Sequence, residues 1–275
     1  MTIAVVGAGM SGLSVTHYLE SGGADVRTFE AASEPGGIVE TAVVDGHVLE
    51  RGPQRLRRSN PVAELIETLT LEDEVVVGHD DQPLYAYYDG DLRPMPLSVR
   101  EAVTTDLLSW RGKARVLLEP LTGPAKPGET VETFLTRKFG EEAASRFMGP
   151  LYSGLYGSDP DEMYVEYSLG RALEHVGIAD ESILLFAVRK LLEGVEKPDI
   201  VSFENGLQTL PWAMYEAHEA VIELETPVTS VERDGDGFLV HTDSDSVTVD
   251  RVVFTTPAPT TAALLENVDP GAASV

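Results

Sequence analysis

The sequence predicts an α/β fold in which a doubly wound, largely parallel sheet is interrupted by a mostly helical insertion. Three observations predict it. A strand, a glycine-rich turn, a helix and a second strand fill residues 1–30; helical periodicity dominates the middle; and strand character returns near the end, from residue 228. A chain of 275 residues holds one large domain or two small ones. The division expected is an α/β domain from 1–60 and 201–275, with 61–200 inserted as a second, mostly helical domain.

Residues 2–6 (TIAVV) form a short apolar run, as a buried parallel strand requires. Beyond the turn, Leu13, Tyr18 and Leu19 have helical spacing, and Gly22-Gly23 ends the helix. Residues 25–30 (DVRTFE) read as the second strand, and the resulting βαβ unit is right-handed. Asn60 is placed to cap a helix carrying Pro61 in its first turn. Residues 84–97 read as a hairpin with an Asp-Gly turn. Helical stripes follow at 130–139, 141–148 and 182–193 and read as core. A three-stranded meander is expected over 228–233, 238–242 and 247–249, and then a buried strand, 251–255, stopped by Pro257.

Composition narrows the function classes. Twenty basic residues stand against 46 acidic ones, a formal net charge of −26, with the acid spread along the chain. That is a solvated acidic surface suited to high salt, and it disfavours nucleic acid as a partner. The absence of cysteine excludes disulfides, thiolate metal sites and cysteine nucleophiles from this stretch. The six histidines are scattered without metal-ligand spacing and read as structural or surface residues, so no metal is expected. No apolar run reaches membrane-spanning length and no signal peptide is visible, so a cytoplasmic location is the default expectation.

The chemistry begins in VVGAGMSG, where Gly7, Ala8, Gly9, Met10, Ser11 and Gly12 form a GxGxxG turn between strand and helix. The first glycine permits the turn, the second lets a pyrophosphate approach the backbone, and the third lets helix pack on strand. The helix N-terminus offers N–H groups and a positive dipole end to phosphate. Glu30, eighteen residues past Gly12 and followed by Ala31, can accept both ribose hydroxyls and repels a 2′-phosphate. The ligand is therefore FAD or NAD and not NADP.

Glu30 is followed by AASEPGG, ending in Gly36-Gly37 before Ile38. This resembles the glutathione-reductase-type flavoproteins, and the amine oxidase and protoporphyrinogen oxidase families within them, which implies FAD. The chain departs from that pattern at Glu34 and Ile38, where family members often carry Arg or Lys. DGHVLERGPQRLRRSNPVAELIETLTLEDEVVV (45–77) is similar to the protoporphyrinogen oxidase segment D-G-x-x-x-E-x-G-P. LYAYYDGDLRPMPLSV, LSWRGKARVLLEPL, GPLYSGLYGSDPDEMYV, SFENGLQTLPWAM, TPVTSVERDGDGF and VVFTTPAP resemble further family blocks in the same order.

The resemblance implies that Gly52, Pro53, Gln54 and Arg55 lie near the flavin and Val228 against the adenine. Arg100 matches an arginine that holds a propionate in some members; a surface arginine is the competing reading. Gly154 and Gly157 would admit a flat macrocycle, or merely shape a turn. A tyrosine cluster (85, 87, 88, 152, 156, 164 and 167) could line a flat cavity, with core packing preferred. The implied activity is oxidation of a porphyrinogen by hydride transfer to flavin N5, with no residue nominated as general acid or base. The alternatives are an amine or carotenoid-precursor oxidase on the same fold, or a short, non-catalytic nucleotide-binding protein. Family members continue past the position of Val275 into a second glycine-rich flavin segment. The chain is accordingly expected to be part of a larger oxidase, with a complementing fragment, a homodimer and peripheral membrane contact all left open.

Overall fold

A computed structural model of the chain describes residues 1–78, 83–96, 99–193 and 199–274. It divides into two compact units, Met1–Asp80 with Pro198–Val275, and Asp81–Lys197.

The first unit opens with β1 (Thr2–Val6), of which Ile3 to Val6 are buried, then α1 (Met10–Ser21) and β2 (Asp25–Phe29). β3 (Thr41–Val44) and β4 (His47–Glu50) make a hairpin across Asp45-Gly46, both at positive φ as a type I′ turn demands. β5 (Leu56–Arg57), α2 (Asn60–Thr68) and β6 (Val75–Val77) follow. The cap of α2 is Ser59, not Asn60. Ser59 has extended backbone angles and its carbonyl takes the first helical bond, from Ala63 N–H at 2.9 Å, so Asn60 already lies inside the turn.

The inserted unit begins with the hairpin β7 (Tyr85–Tyr88) and β8 (Asp91–Pro94) around Asp89-Gly90. It continues through α3 (Val99–Thr104), α4 (Trp110–Val116), α5 (Val131–Phe139), α6 (Glu141–Ala143), α7 (Gly149–Tyr156), α8 (Leu169–His175) and α9 (Ile183–Glu193). Between α6 and α7, residues Ala144–Met148 widen into a π-helix, next to Pro150, which has no N–H to return to the carbonyl four residues earlier. Val131, Phe134, Leu135 and Phe139 form the predicted stripe and pack with Tyr152, Val165, Leu173 and Ile178. The preference for packing the tyrosines inside is corrected. Tyr152 is buried, but Tyr85, Tyr87, Tyr156, Tyr164 and Tyr167 are exposed; on β7 it is Ala86, on the opposite face, that turns inward.

The chain returns through β9 (Ile200–Phe203), which pairs with both β5 and β6. Because those short strands depend on β9, the first unit extends to Asp80 and not to residue 60. α10 (Thr209–Ala217), β10 (Ile222–Glu223), β11 (Val228–Asp234), β12 (Gly237–Thr242), β13 (Ser246–Val249), β14 (Arg251–Phe254) and α11 (Ala258–Leu265) complete it. The parallel sheet has the order β10-β2-β1-β14, and β11-β12-β13 is the expected antiparallel meander. Its Val231, Val240 and Val249 pack with Ala4 and Phe29 on one side of the sheet. On α1, Leu13 joins Ile66, Leu210 and Met214 in another core.

Candidate functional site

The turn between β1 and α1 is built by contact, not merely permitted by composition. A Cβ on Gly12 would stand 1.8 Å from the Gly7 carbonyl oxygen, so no side chain fits there. Gly7 itself is at φ +102°. Thr255, just past β14, donates its hydroxyl towards the Val6 and Gly7 carbonyls at 2.9 and 3.0 Å and fixes the turn from the neighbouring strand. Gly9 caps α1 with no side-chain cap bond, and the first turn has no acidic residue. The N–H groups of Met10, Ser11 and Gly12 thus stand at a helix N-terminus without a competing carboxylate, which suits a diphosphate.

Glu30 follows β2 and reaches back to this turn. Its Oε2 accepts from Ala8 N–H at 2.6 Å and its Oε1 from Ala32 N–H at 2.9 Å. Each oxygen keeps a further lone pair for a ribose hydroxyl. The chain towards Val228 runs alongside: Thr226 N–H donates to the Glu30 carbonyl and Glu225 N–H to that of Ala32. Val228 is half-buried at the start of β11.

Gly36 and Gly37, both at positive φ, bring a second turn against the first. Gly36 N–H donates to the Ala8 carbonyl at 2.9 Å, and Gly9 and Gly36 form a parallel bridge. Ile38 is exposed, and its carbonyl would lie 1.8 Å from a Cβ on Gly52, which ties the Gly52-Pro53 segment to the same place. Pro53 and Arg55 then line an apolar pocket of about 160 Å³ with Met10, Val39, Leu56, Val62, Leu207 and Leu210. Gln54 is exposed beside it.

The residues that hold these turns together include some that sequence reasoning missed. Glu50 Oε1 accepts from Leu207 N–H at 2.8 Å and its Oε2 from the Thr41 hydroxyl at 2.7 Å. Gln208 accepts from Thr41 N–H and donates to Glu34. The motif Glu and the 205–208 segment are therefore two halves of one joint. Glu50 was visible in its motif; Thr255 and Gln208 carried no signal of their own.

The inserted unit holds the other candidates. Gly157 ends α7 in the left-handed conformation (φ +66°), reason enough for glycine, whereas Gly154 lies within α7 with nothing within 4 Å of its Cβ position. Arg100 lies in α3, and its side chain is outside the described residues. Among the described residues no cluster of three metal-ligating side chains exists, and no helix is long and apolar enough to cross a membrane.

A parallel sheet with a glycine turn, a carboxylate just past β2 that reaches back to that turn, and an interlocked second glycine pair has the form of a dinucleotide-binding fold. Residues 10–274 match the family of flavin containing amine oxidoreductases, and the chain belongs to that family. Its cofactor is FAD, and the open cradle fits that dinucleotide. The chain is 31% identical to a chloroplastic protoporphyrinogen oxidase of Oryza sativa subsp. japonica over 92% of its own length and 52% of that protein's. It is 27% identical to the coproporphyrinogen III oxidase of Staphylococcus aureus, over 93% of its own length and 60% of that protein's. The chain thus spans about half the length of the curated relatives it matches. Among solved structures, putrescine oxidase covers 96% of the chain with a TM-score of 0.67 at 19% identity, and UDP-galactopyranose mutase reaches 0.67 at 18%. Those likenesses show the shared fold.

Proposed function

We propose that this chain is the nucleotide-binding and substrate-domain portion of an FAD-dependent porphyrinogen oxidase. The observation that carries the reading is the joint between Gly7–Gly12, Glu30 and Gly36-Gly37, together with similarity to porphyrinogen oxidases along nearly the whole chain. In this reading Gly7 to Gly12 hold the diphosphate through backbone N–H groups and Glu30 binds the adenosine ribose. Ala31 and Val228 flank the adenosine half; Gly37 and Ile38 cover the diphosphate. Gly52, Pro53, Gln54 and Arg55 border the flavin. Residues 81–197 serve the substrate, with Arg100 offered to a propionate and Gly154 and Gly157 to the flat macrocycle.

FAD held by these residues would supply the hydride acceptor for oxidation at a ring carbon of the substrate. The chain's own residues bind, orient and exclude water. Incubating the FAD-loaded chain, alone and with the remainder of its reading frame, with protoporphyrinogen or coproporphyrinogen tests this reading by the fluorescence of the porphyrin formed. Turnover of an amine, with no porphyrin, would move the assignment to the amine oxidase branch. A purified chain that neither carries nor takes up FAD would remove both.

A further inference from the structure

The apolar pocket beside the helix N-terminus has one charged residue in its lining. Seven of its residues, Met10, Val39, Pro53, Leu56, Val62, Leu207 and Leu210, are apolar, and the eighth is Arg55. In such a pocket the single polar group decides which face of a ligand points where, because every other wall is indifferent to charge. Arg55 is exposed and makes no hydrogen bond or ion pair among the described residues. Neighbouring arginines in the same segment do: Arg51 pairs with Glu40 at 2.5 Å and Arg58 with Glu72 at 2.5 Å. In a chain of net charge −26, a guanidinium left unpaired at the rim of an apolar pocket is free to meet negative charge on a ligand.

Resting on the FAD reading above, we infer that Arg55 is a positioning residue for the flavin ring. Its guanidinium would offset the negative charge that addition at N5 leaves delocalised over the N1–C2 carbonyl system of the ring. In that reading the diphosphate is served by the backbone N–H groups at the start of α1, which leaves the Arg55 charge for the ring. A fixed cation beside the ring stabilises the reduced, anionic form more than the neutral oxidised one and so favours hydride acceptance.

Sulfite tests this without substrate turnover. Its sulfur lone pair adds to flavin N5 and pushes an electron pair onto the same N1–C2 region, creating the same charge. The FAD-loaded chain is titrated with sulfite, following loss of the yellow absorbance, in the wild type and in Arg55→Gln, Arg55→Lys and Arg57→Gln. Arg57 is exposed on β5 and does not line the pocket, so it serves as the control. The expected result is sulfite affinity lowered roughly two- to five-fold in Arg55→Gln, the range of a solvent-exposed charge pair, with Arg55→Lys and Arg57→Gln near wild type. Loss of FAD from Arg55→Gln but not from Arg55→Lys would also support a charge held against the cofactor. Equal sulfite affinity in Arg55→Gln and Arg57→Gln overturns the role of Arg55 while leaving the FAD reading intact. A wild-type chain that cannot be loaded with FAD overturns the FAD reading and this inference with it.

Discussion

Removing the ammonium of Lys138 from the inserted unit is predicted to cost about 3–5 kcal/mol, the range for breaking a buried ion pair on one side. Lys138 and Glu119 are 3% and 0% exposed, and Lys138 Nζ donates to Glu119 Oε1 at 2.7 Å. Glu119 also accepts from the Ser182 hydroxyl and from Ile183 and Leu184 N–H at 3.3 Å each, so one carboxylate caps α9 while it neutralises α5. Lys138→Met leaves that carboxylate buried with its capping donors but without its counter-charge. The loss would consume a large share of the 5–15 kcal/mol that typically holds a domain folded. Urea unfolding at neutral pH, followed by circular dichroism, measures it as a lower midpoint at unchanged slope.

The acid limb adds a second check. Burial pushes the Glu119 carboxyl up, but the hydrogen bonds from Lys138 and Ser182, the Lys138 charge and Leu184 N–H outweigh it, and its pKa lies below the usual value. Stability from this group is therefore present above the unfolded-state pKa and is lost as pH falls through the depressed folded value. In Lys138→Met that loss begins at higher pH. A variant that unfolds within about 1 kcal/mol of wild type, with the same acid limb, would refute the reasoning.

Gly12→Ala forces a Cβ into the Gly7 carbonyl oxygen, which is backbone and cannot swing aside; a loss of about 1–3 kcal/mol is expected, with weakened FAD binding. Gly154→Ala, with nothing near its Cβ position, should leave the melting temperature unchanged or slightly raised. Glu30→Ala removes the acceptor of Ala8 N–H and the proposed ribose ligand together; FAD titration should show affinity lowered about ten-fold or more, and unchanged affinity would remove the ribose assignment. His17 and His218 form a buried pair, with His17 Nδ1 2.9 Å from His218 Nε2. Burial first, and then the His218 charge, lower the His17 pKa against the opposing pull of Glu64 and Glu20. Stability should therefore fall as pH drops below about 6.5, by at most about 1.4 kcal/mol per pH unit for that proton, and His17→Asn should flatten the dependence in urea titrations.

The glycine turn, the carboxylate of Glu30 and the second glycine pair were legible because each answers a local demand: a positive φ, a close approach, a carboxylate at a strand end. Gly12 shows how literal that demand is, since its missing side chain is space taken by another backbone atom. Asn60 was misplaced by one residue because Ser59 and Asn60 are both good caps, and only the backbone angles choose between them. β9 and β10 went unseen: four and two residues long, they have little periodicity, and their partners lie far away in sequence. The domain boundary moved for the same reason, since β5 and β6 take their identity from β9.

Residues near one another in sequence thus determined the nucleotide-binding half of this protein. Turn geometry, strand burial and helix start act within a few residues and leave their mark in composition. Tertiary structure alone decided what holds the turns in place. Thr255 reaches the Gly7 carbonyl from β14, Glu50 meets Leu207, and Glu119 caps a helix that begins at Ile183. Each is an ordinary polar residue in its own segment, and its role comes from a partner that only the fold brings within hydrogen-bonding distance.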